Sequence, residues 1–166
     1  MERNLKCCYG ISSFAHGKDK HIFMMDFDNV SFWAIIEDLK RIQHFYNLSD
    51  LYIIKSTNGW NVLSFDKLNL KTIYEVGIDS ILTDRDFVLY GYDRGYYVLR
   101  FDKDKKLEKI LKSKYNVHEK SLAHKEFIEF FFDIVIEHDD LFDKNQKFDI
   151  IQYPSDKNGY HEVKKW

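Results

Sequence analysis

The residues in this sequence best suited to chemistry are two aspartates at the end of an apolar run. Residues Ile22 to Met25 lead directly into Asp26-Phe27-Asp28, and a short apolar run bounded by polar residues predicts a buried strand. Side chains two positions apart on a strand share one face, so the two carboxylates should lie side by side. Because such a pair is repulsive unless a cation balances it, the pattern favours Mg²⁺ or Mn²⁺ bound through oxygen. The alternative is a strand end where both carboxylates are simply solvated.

The segments around this strand alternate between strand-forming and helix-forming patterns. Apolar residues recur every three or four positions from Ser31 to Tyr46, which predicts a helix with one apolar face. Asn58-Gly59 between two β-prone runs predicts a hairpin. The predicted elements of this half are a strand within 5–15, the acidic strand 21–27, a helix at 31–46, strands at 51–55 and 60–65, and a short helix at 67–76.

The second half of the chain is richer in aromatic residues and in charge. Two β-prone runs flank Asp93-Arg94-Gly95, so residues 86–102 are expected to form a second hairpin. The charged residues 103–106 are expected to be a solvated loop. The remaining predictions are a helical turn over Leu107, Ile110 and Leu111, a helix from Ser121 to Ile136, and a strand from Phe148 to Tyr153.

Together these elements predict an α+β fold with a mixed or antiparallel sheet built from hairpins 51–65 and 86–102, and with helices packed against that sheet. A length of 166 residues predicts one domain, residues 1–166. The hydrophobic content of 45% excludes a disordered chain.

Charge and cysteine content bound the surroundings of the protein. A formal net charge of −2 excludes a global basic surface for nucleic acid and leaves room only for a local basic patch. Cys7 and Cys8 are adjacent and the only cysteines, which favours a reducing compartment. No apolar run reaches the roughly 20 residues of a membrane span, and the N-terminus lacks the apolar core of a signal peptide. We therefore expect a cytoplasmic protein with no membrane partner.

Three segments together resemble one known family. They are MMDFDNV, the hairpin YIIKSTNGWNVLSF, and DRDFVLYGYDRGYYVLRF with its acids and arginines. In this order they are similar to the catalytic core of the archaeo-eukaryotic primase superfamily, the primase-polymerase group. That core has an apolar strand ending in Asp-x-Asp or Asp-x-Glu, then a Ser/Thr-x-x-Gly-x-His turn and strand, then a third acid. The resemblance covers about residues 20–102 and implies an RRM-like sheet, with residues 103–166 as a helical and β extension.

The resemblance implies roles for particular acids. Asp26 and Asp28 match the metal-binding pair. The third metal ligand is expected to be Asp86, which opens a predicted strand, while Asp84 and Asp79 remain open as alternatives. The three carboxylates would bind Mg²⁺ or Mn²⁺ and serve as the catalytic residues.

The resemblance also implies residues that contact nucleotide or nucleic acid. Ser56, Asn58 and Gly59 match the turn of the second motif. Asn61 stands where the family has a histidine that contacts the nucleotide phosphates, and a neutral amide cannot carry the positive charge of a histidine. Arg94 and Arg100 would face phosphate or template, because guanidinium groups bind phosphate well.

The implied activity is metal-dependent nucleotidyl transfer in a DNA replication system, impaired by Asn61. The partners would be a nucleoside triphosphate, a DNA template and a replication helicase acting in trans. A first alternative is a primase-like module that binds nucleic acid without catalysis. A second is a haloacid-dehalogenase-like phosphatase, in which Asp26 would be the nucleophile, Asp28 the general acid and Asp139-Asp140 the late acidic pair. The hairpins expected over residues 60–102 argue against that phosphatase, because its parallel sheet needs strands that alternate with helices.

Overall fold

The computed structural model describes residues 8–137, 141–143, 149–153 and 161–165. Within these residues the chain forms an α+β fold, as predicted, with helices packed against mixed and antiparallel sheets. The strands are β1 (Cys8–Ser12), β2 (His21–Asp28), β3 (Leu51–Lys55), β4 (Gly59–Leu68), β5 (Val98–Phe101), β6 (Lys106–Leu111), β7 (Lys120–Ser121), β8 (Phe142–Asp143), β9 (Asp149–Tyr153) and β10 (His161–Lys165). The helices are α1 (Phe32–Phe45), α2 (Leu70–Asp79), α3 (Arg85–Arg94) and α4 (Leu122–Phe132).

The larger sheet is organised around β4. Strands β3 and β2 pair antiparallel with its two edges, and β6 pairs antiparallel with the outer edge of β3. The register places Asp26 opposite Asn61 and Asp28 opposite Gly59. Further along β4, Asp66 pairs with Lys120 of β7, which in turn runs parallel to β8. The second sheet has the order β10-β9-β1-β5 and is antiparallel throughout.

Helix α1 shows how local sequence builds the helical layer. Ser31 caps its N-terminus by accepting a hydrogen bond from the backbone N–H of Ala34. Its apolar face is the predicted one, with Ile35, Ile36, Leu39 and Ile42 buried in the core. Each such side chain contributes about 1.5–3 kcal/mol when fully buried. Phe45 continues the spacing but is exposed at the end of the helix.

The second predicted hairpin, residues 86–102, is wrong. Asp84 caps the N-terminus of helix α3, and Gly95, at φ 98°, ends the helix in the left-handed conformation. Only β5 remains a strand in this region. Gly91 lets the ring of Tyr97 pack directly on the helix, where an added Cβ would lie 2.1 Å from that ring. Caps and this close packing outweigh the strand propensity of the aromatic residues.

Several other boundaries differ from the sequence-based prediction. The expected helical turn at Leu107–Leu111 is strand β6, whose Leu107 and Ile110 pair with β3. Helix α2 begins only at Leu70, because β4 continues to Leu68 and Asn69 provides the cap. Helix α4 ends at Phe132, before a left-handed Asp133. The predicted last strand is present as β9, although Phe148 lies outside the described residues. None of the helices in the described part of the chain has the length and apolar character to cross a membrane.

His124 links the two sheets from within the core. The ring is fully buried, with Nε2 2.9 Å from the backbone oxygen of Ser12 and Nδ1 2.6 Å from the Ser121 hydroxyl. A carbonyl only accepts, so Nε2 donates to Ser12 and Nδ1 accepts from Ser121. Burial lowers the pKa of His124 to about 4, because the charged ring would lose its hydration.

We predict that His124 makes the fold acid-sensitive. Between pH 6.5 and pH 4 His124 binds a proton in the unfolded chain but not in the folded protein. The free energy of unfolding therefore falls by on the order of 3 kcal/mol as the pH is lowered through this range. In the His124→Gln variant this slope should be absent. Urea unfolding of both proteins at pH 7 and pH 4.5 measures the difference, in which all other titrating groups cancel. Equal slopes in the two proteins would contradict the assignment.

Candidate metal centre

The predicted acidic pair lies at the end of β2, with both carboxylates on one side of the strand. Asp26 is half-buried and Asp28 is exposed. Oxygens of Asp26, Asp28 and Asp84 all lie within 4.8 Å of one another, close enough for one cation to contact all three carboxylates. The two-residue period of a strand therefore placed the pair correctly.

The third acid of this cluster is Asp84 and not Asp86, the residue that the sequence analysis favours. The choice of Asp86 assumed a strand at this point, whereas the segment is the start of α3. Asp84 is the N-cap of that helix, and its Oδ1 accepts from the backbone N–H of Asp86 at 3.0 Å. The backbone N–H of Asp84 donates to the backbone oxygen of Asp26 at 2.8 Å, which fixes the cap beside the acidic strand. Asp79, the other alternative, instead binds Arg41.

The loop that carries Asp84 is held from the helical layer. Ser80 donates a hydrogen bond to the buried carboxylate of Asp38 on α1, and its hydroxyl oxygen accepts from the backbone N–H of Leu82 and Thr83. Arg41 joins Asp38 and Asp79 through its guanidinium group, at 3.0 and 3.1 Å. This network spans α1 and α2 and leads directly into the cap at Asp84. The sequence offered no local signal for it, because its members lie far apart along the chain.

Asn61 lies on β4 directly opposite Asp26 of β2, and both ends of its side-chain amide are hydrogen-bonded. Its amide nitrogen donates to Asp26 Oδ1 at 2.8 Å, and its amide oxygen accepts from the ammonium group of Lys105. Lys105 was missed in the sequence analysis, which placed residues 103–106 in a solvated loop. It lies in a tight turn between β5 and β6, closed by a bond from its backbone N–H to the backbone oxygen of Asp102. Recognising β6 as a strand would have directed attention to this turn.

Burial, and then repulsion between like charges, determine the electrostatics of the cluster. Burial raises the pKa of Asp26 to about 6, and the charges of Asp28 and Asp84 add to the effect. Partial burial and the neighbouring Asp84 carboxyl also raise the pKa of Asp28. Burial lowers the pKa of Lys105, while Asp102 and Asp26 oppose that shift. Three carboxylates and one ammonium leave a formal charge of −2, which a single divalent cation would neutralise.

The predicted turn of the second motif adjoins the cluster. Ser56 donates its backbone N–H to the oxygen of Gly59 at 2.9 Å, and the backbone oxygen of Asn58 accepts from Asn29, just beyond β2. A Cβ on Gly59 would lie 1.9 Å from the backbone oxygen of Phe27, so the close pairing of β4 with the acidic strand requires glycine.

The two predicted phosphate-binding arginines have different positions. The guanidinium group of Arg94 donates to the backbone oxygen of Tyr96 at 3.1 and 3.2 Å and lies over the Tyr96 ring, which closes the end of α3. Arg100 lies on β5 with an exposed side chain, and its charge reaches Lys105. Arg100 therefore lies near Lys105 of the cluster, whereas the guanidinium group of Arg94 binds the backbone at the end of α3. Asp139-Asp140 of the phosphatase alternative lie outside the described residues.

We predict that the carboxylate cluster destabilises the cation-free protein at neutral pH. The folded pKa of Asp26 exceeds the unfolded value of 3.8, so stability present below pH 3.8 is lost as the pH rises through about 6. Asp28→Asn and Asp84→Asn should each raise the free energy of unfolding by about 1 kcal/mol at pH 7.5, and by much less at pH 4. Asparagine also caps helices, so α3 is preserved.

Urea unfolding without divalent cations measures these effects. Asp86→Asn is the matched control, because it removes a charge from the same helix outside the cluster and should bring no gain. A loss of stability in both cluster variants at pH 7.5 would contradict the repulsion.

Comparisons with protein-family models, with curated proteins and with solved structures find no match to this chain.

Proposed function

We propose that this protein is a metal-dependent nucleotidyltransferase of the primase-polymerase type, in which Asp26, Asp28 and Asp84 bind Mg²⁺ or Mn²⁺. The observation that carries the proposal is the convergence of three carboxylates, from β2 and from the cap of α3, opposite Asn61. The resemblance in sequence calls for this combination: an acidic strand, a third acid from a later segment, and the second motif on the neighbouring strand.

The donor set fits a hard divalent cation. Carboxylate oxygens are the ligands that Mg²⁺ and Mn²⁺ prefer, and the cluster lacks the sulfur ligands that softer metals select. The raised pKa of Asp26 shows that the folded chain holds negative charge there at a cost. A bound cation would remove that cost and lower the pKa again.

When bound, such cations neutralise a triphosphate and activate the attacking hydroxyl group. The chain's own residues have separate tasks. Asp26, Asp28 and Asp84 hold the cation at the open end of β2. Asn61 fixes the orientation of the Asp26 carboxylate through its 2.8 Å hydrogen bond. Lys105 binds the amide oxygen of Asn61 and would add one positive charge beside the phosphates, without replacing the donor that Asn61 directs to Asp26.

A non-catalytic nucleic-acid-binding module is the second candidate, and the bond from Asn61 to Asp26 favours it. The family's histidine directs a donor to the nucleotide, whereas here the amide nitrogen is engaged with a metal-binding carboxylate. The phosphatase alternative fits less well, because β2 pairs antiparallel with β4, whereas that fold needs a parallel sheet around the nucleophile.

We predict metal-dependent but weak nucleotide incorporation by the natural protein on a primed or unprimed DNA template. Asp28→Asn and Asp84→Asn should abolish it, and Asp86→Asn should not. Asn61→His should raise incorporation about fivefold, since a charge-assisted bond exceeds a neutral one by ~1 kcal/mol. Lys105→Met should weaken nucleotide binding, because it removes the ammonium group and keeps the length of the side chain.

Incorporation of a labelled nucleotide, with and without Mn²⁺, measures all five variants. Nucleotide or DNA binding without incorporation, in the natural protein and in Asn61→His alike, would favour the non-catalytic module. Full activity in Asp84→Asn would refute the metal centre.

A further inference from the structure

A cleft of about 480 Å³ lies on the helical side of the molecule, between the end of α1 and α2. It has no part in the proposed nucleotidyl transfer. Its lining consists of Phe45, Tyr46, Tyr74, Glu75, Ile78 and Asp79. It is largely open to solvent, unlike the enclosed sites that bury most of a small ligand.

The lining combines aromatic rings with negative charge. Three of the six residues are aromatic, two are acidic and none is cationic. Burial raises the pKa of the Tyr46 hydroxyl, and the charges of Asp79 and Glu75 raise it further. A cation is attracted both to carboxylates and to the faces of aromatic rings, so the chemistry of this cleft suits an organic cation.

Asp79 already accepts a guanidinium group from within the chain. Arg41 donates to its Oδ2 at 3.1 Å and to its backbone oxygen at 2.9 Å, and the Tyr46 hydroxyl donates to the same Oδ2 at 3.3 Å. These bonds fix the carboxylate in place before any ligand arrives. Glu75 is held less firmly, since it has an exposed contact with Lys71 at 4.0 Å, and such pairs contribute little. A guanidinium group could displace Lys71 from Glu75 at low cost.

We propose that this cleft is a docking site for an arginine side chain of a partner protein. Two apolar side chains of the lining are exposed: Phe45 at 71% and Ile78 at 37%. Aromatic residues and arginine are enriched at the centres of protein interfaces. A partner's apolar residues beside the arginine would cover these two side chains, whereas a free polyamine would leave them in water. The planar guanidinium group also stacks on aromatic rings better than an ammonium group does.

Peptide titrations of the isotope-labelled full chain, followed by NMR, test the proposal. The probe is acetyl-Leu-Arg-Leu-amide, and its citrulline counterpart has nearly the same shape without the charge. We expect saturable shifts at the end of α1 and along α2 with a millimolar dissociation constant. The citrulline peptide should bind at least tenfold more weakly, and acetyl-Gly-Arg-Gly-amide should bind more weakly than the leucine-flanked peptide.

Two substitutions locate the binding. Phe45→Ala and Glu75→Gln should each weaken it at least threefold, and both side chains are exposed, so the fold should be preserved. Phe130→Ala on α4 is the matched control, because that ring is also exposed and lies outside the cleft. Equal binding of the arginine and citrulline peptides, or no effect of Phe45→Ala and Glu75→Gln, would overturn the proposal. Tighter binding of spermidine than of the leucine-flanked peptide would also overturn it, in favour of a free organic cation.

Discussion

The constraint that this fold must overcome to build its candidate site is the mutual repulsion of three carboxylates. They come from two separate segments, and two backbone features prevent their separation. The β2–β4 register fixes Asp26 opposite Asn61, and the N–H of Asp84 donates to the backbone oxygen of Asp26. The free energy that offsets the repulsion comes from the apolar side of the same strand, where Met25 and Phe27 are fully buried.

The helical layer stabilises this arrangement from the far side of the strand. Gly77 of α2 is close enough to Val88 of α3 and Met25 of β2 that an added Cβ would meet both side chains. Ser80 and Asp38 then fix the loop that leads to Asp84. A change in the packing of α1, α2 and α3 would therefore move one ligand of the cluster relative to the other two. Asp79 takes part in both features, because it accepts a hydrogen bond from Arg41 in this network and also lines the α1–α2 cleft. The proposed docking site is thereby connected to helices α1 and α2.

The sequence predicted those parts of the fold that local patterns determine. The apolar run before Asp26, the periodicity of α1 and the Asn58-Gly59 turn each depend on neighbouring residues alone, and each was confirmed. Helix α3 was missed because its aromatic residues favour strands, while its caps, Asp84 and Gly95, determine its structure. Strand β6 was missed because its charged residues lie at an exposed sheet edge and hide the alternation.

The same limit explains which site residues were found. Asp26 and Asp28 follow from the two-residue period of a strand, whereas Asn61 was predicted from the resemblance to the primase family. The choice between Asp84 and Asp86 depended on whether a strand or a helix begins there. Lys105 reaches Asn61 across 44 positions of sequence, and no local pattern reports such a contact.

The most direct test of the metal centre is anomalous scattering from a crystal grown with Mn²⁺ and a nucleoside triphosphate. We predict a strong manganese peak about 2.0–2.3 Å from oxygens of Asp26, Asp28 and Asp84. The phosphates of the nucleotide should lie next to Lys105. Full nucleotide occupancy without manganese at these three carboxylates would contradict the metal centre and the nucleotidyltransferase proposed from it.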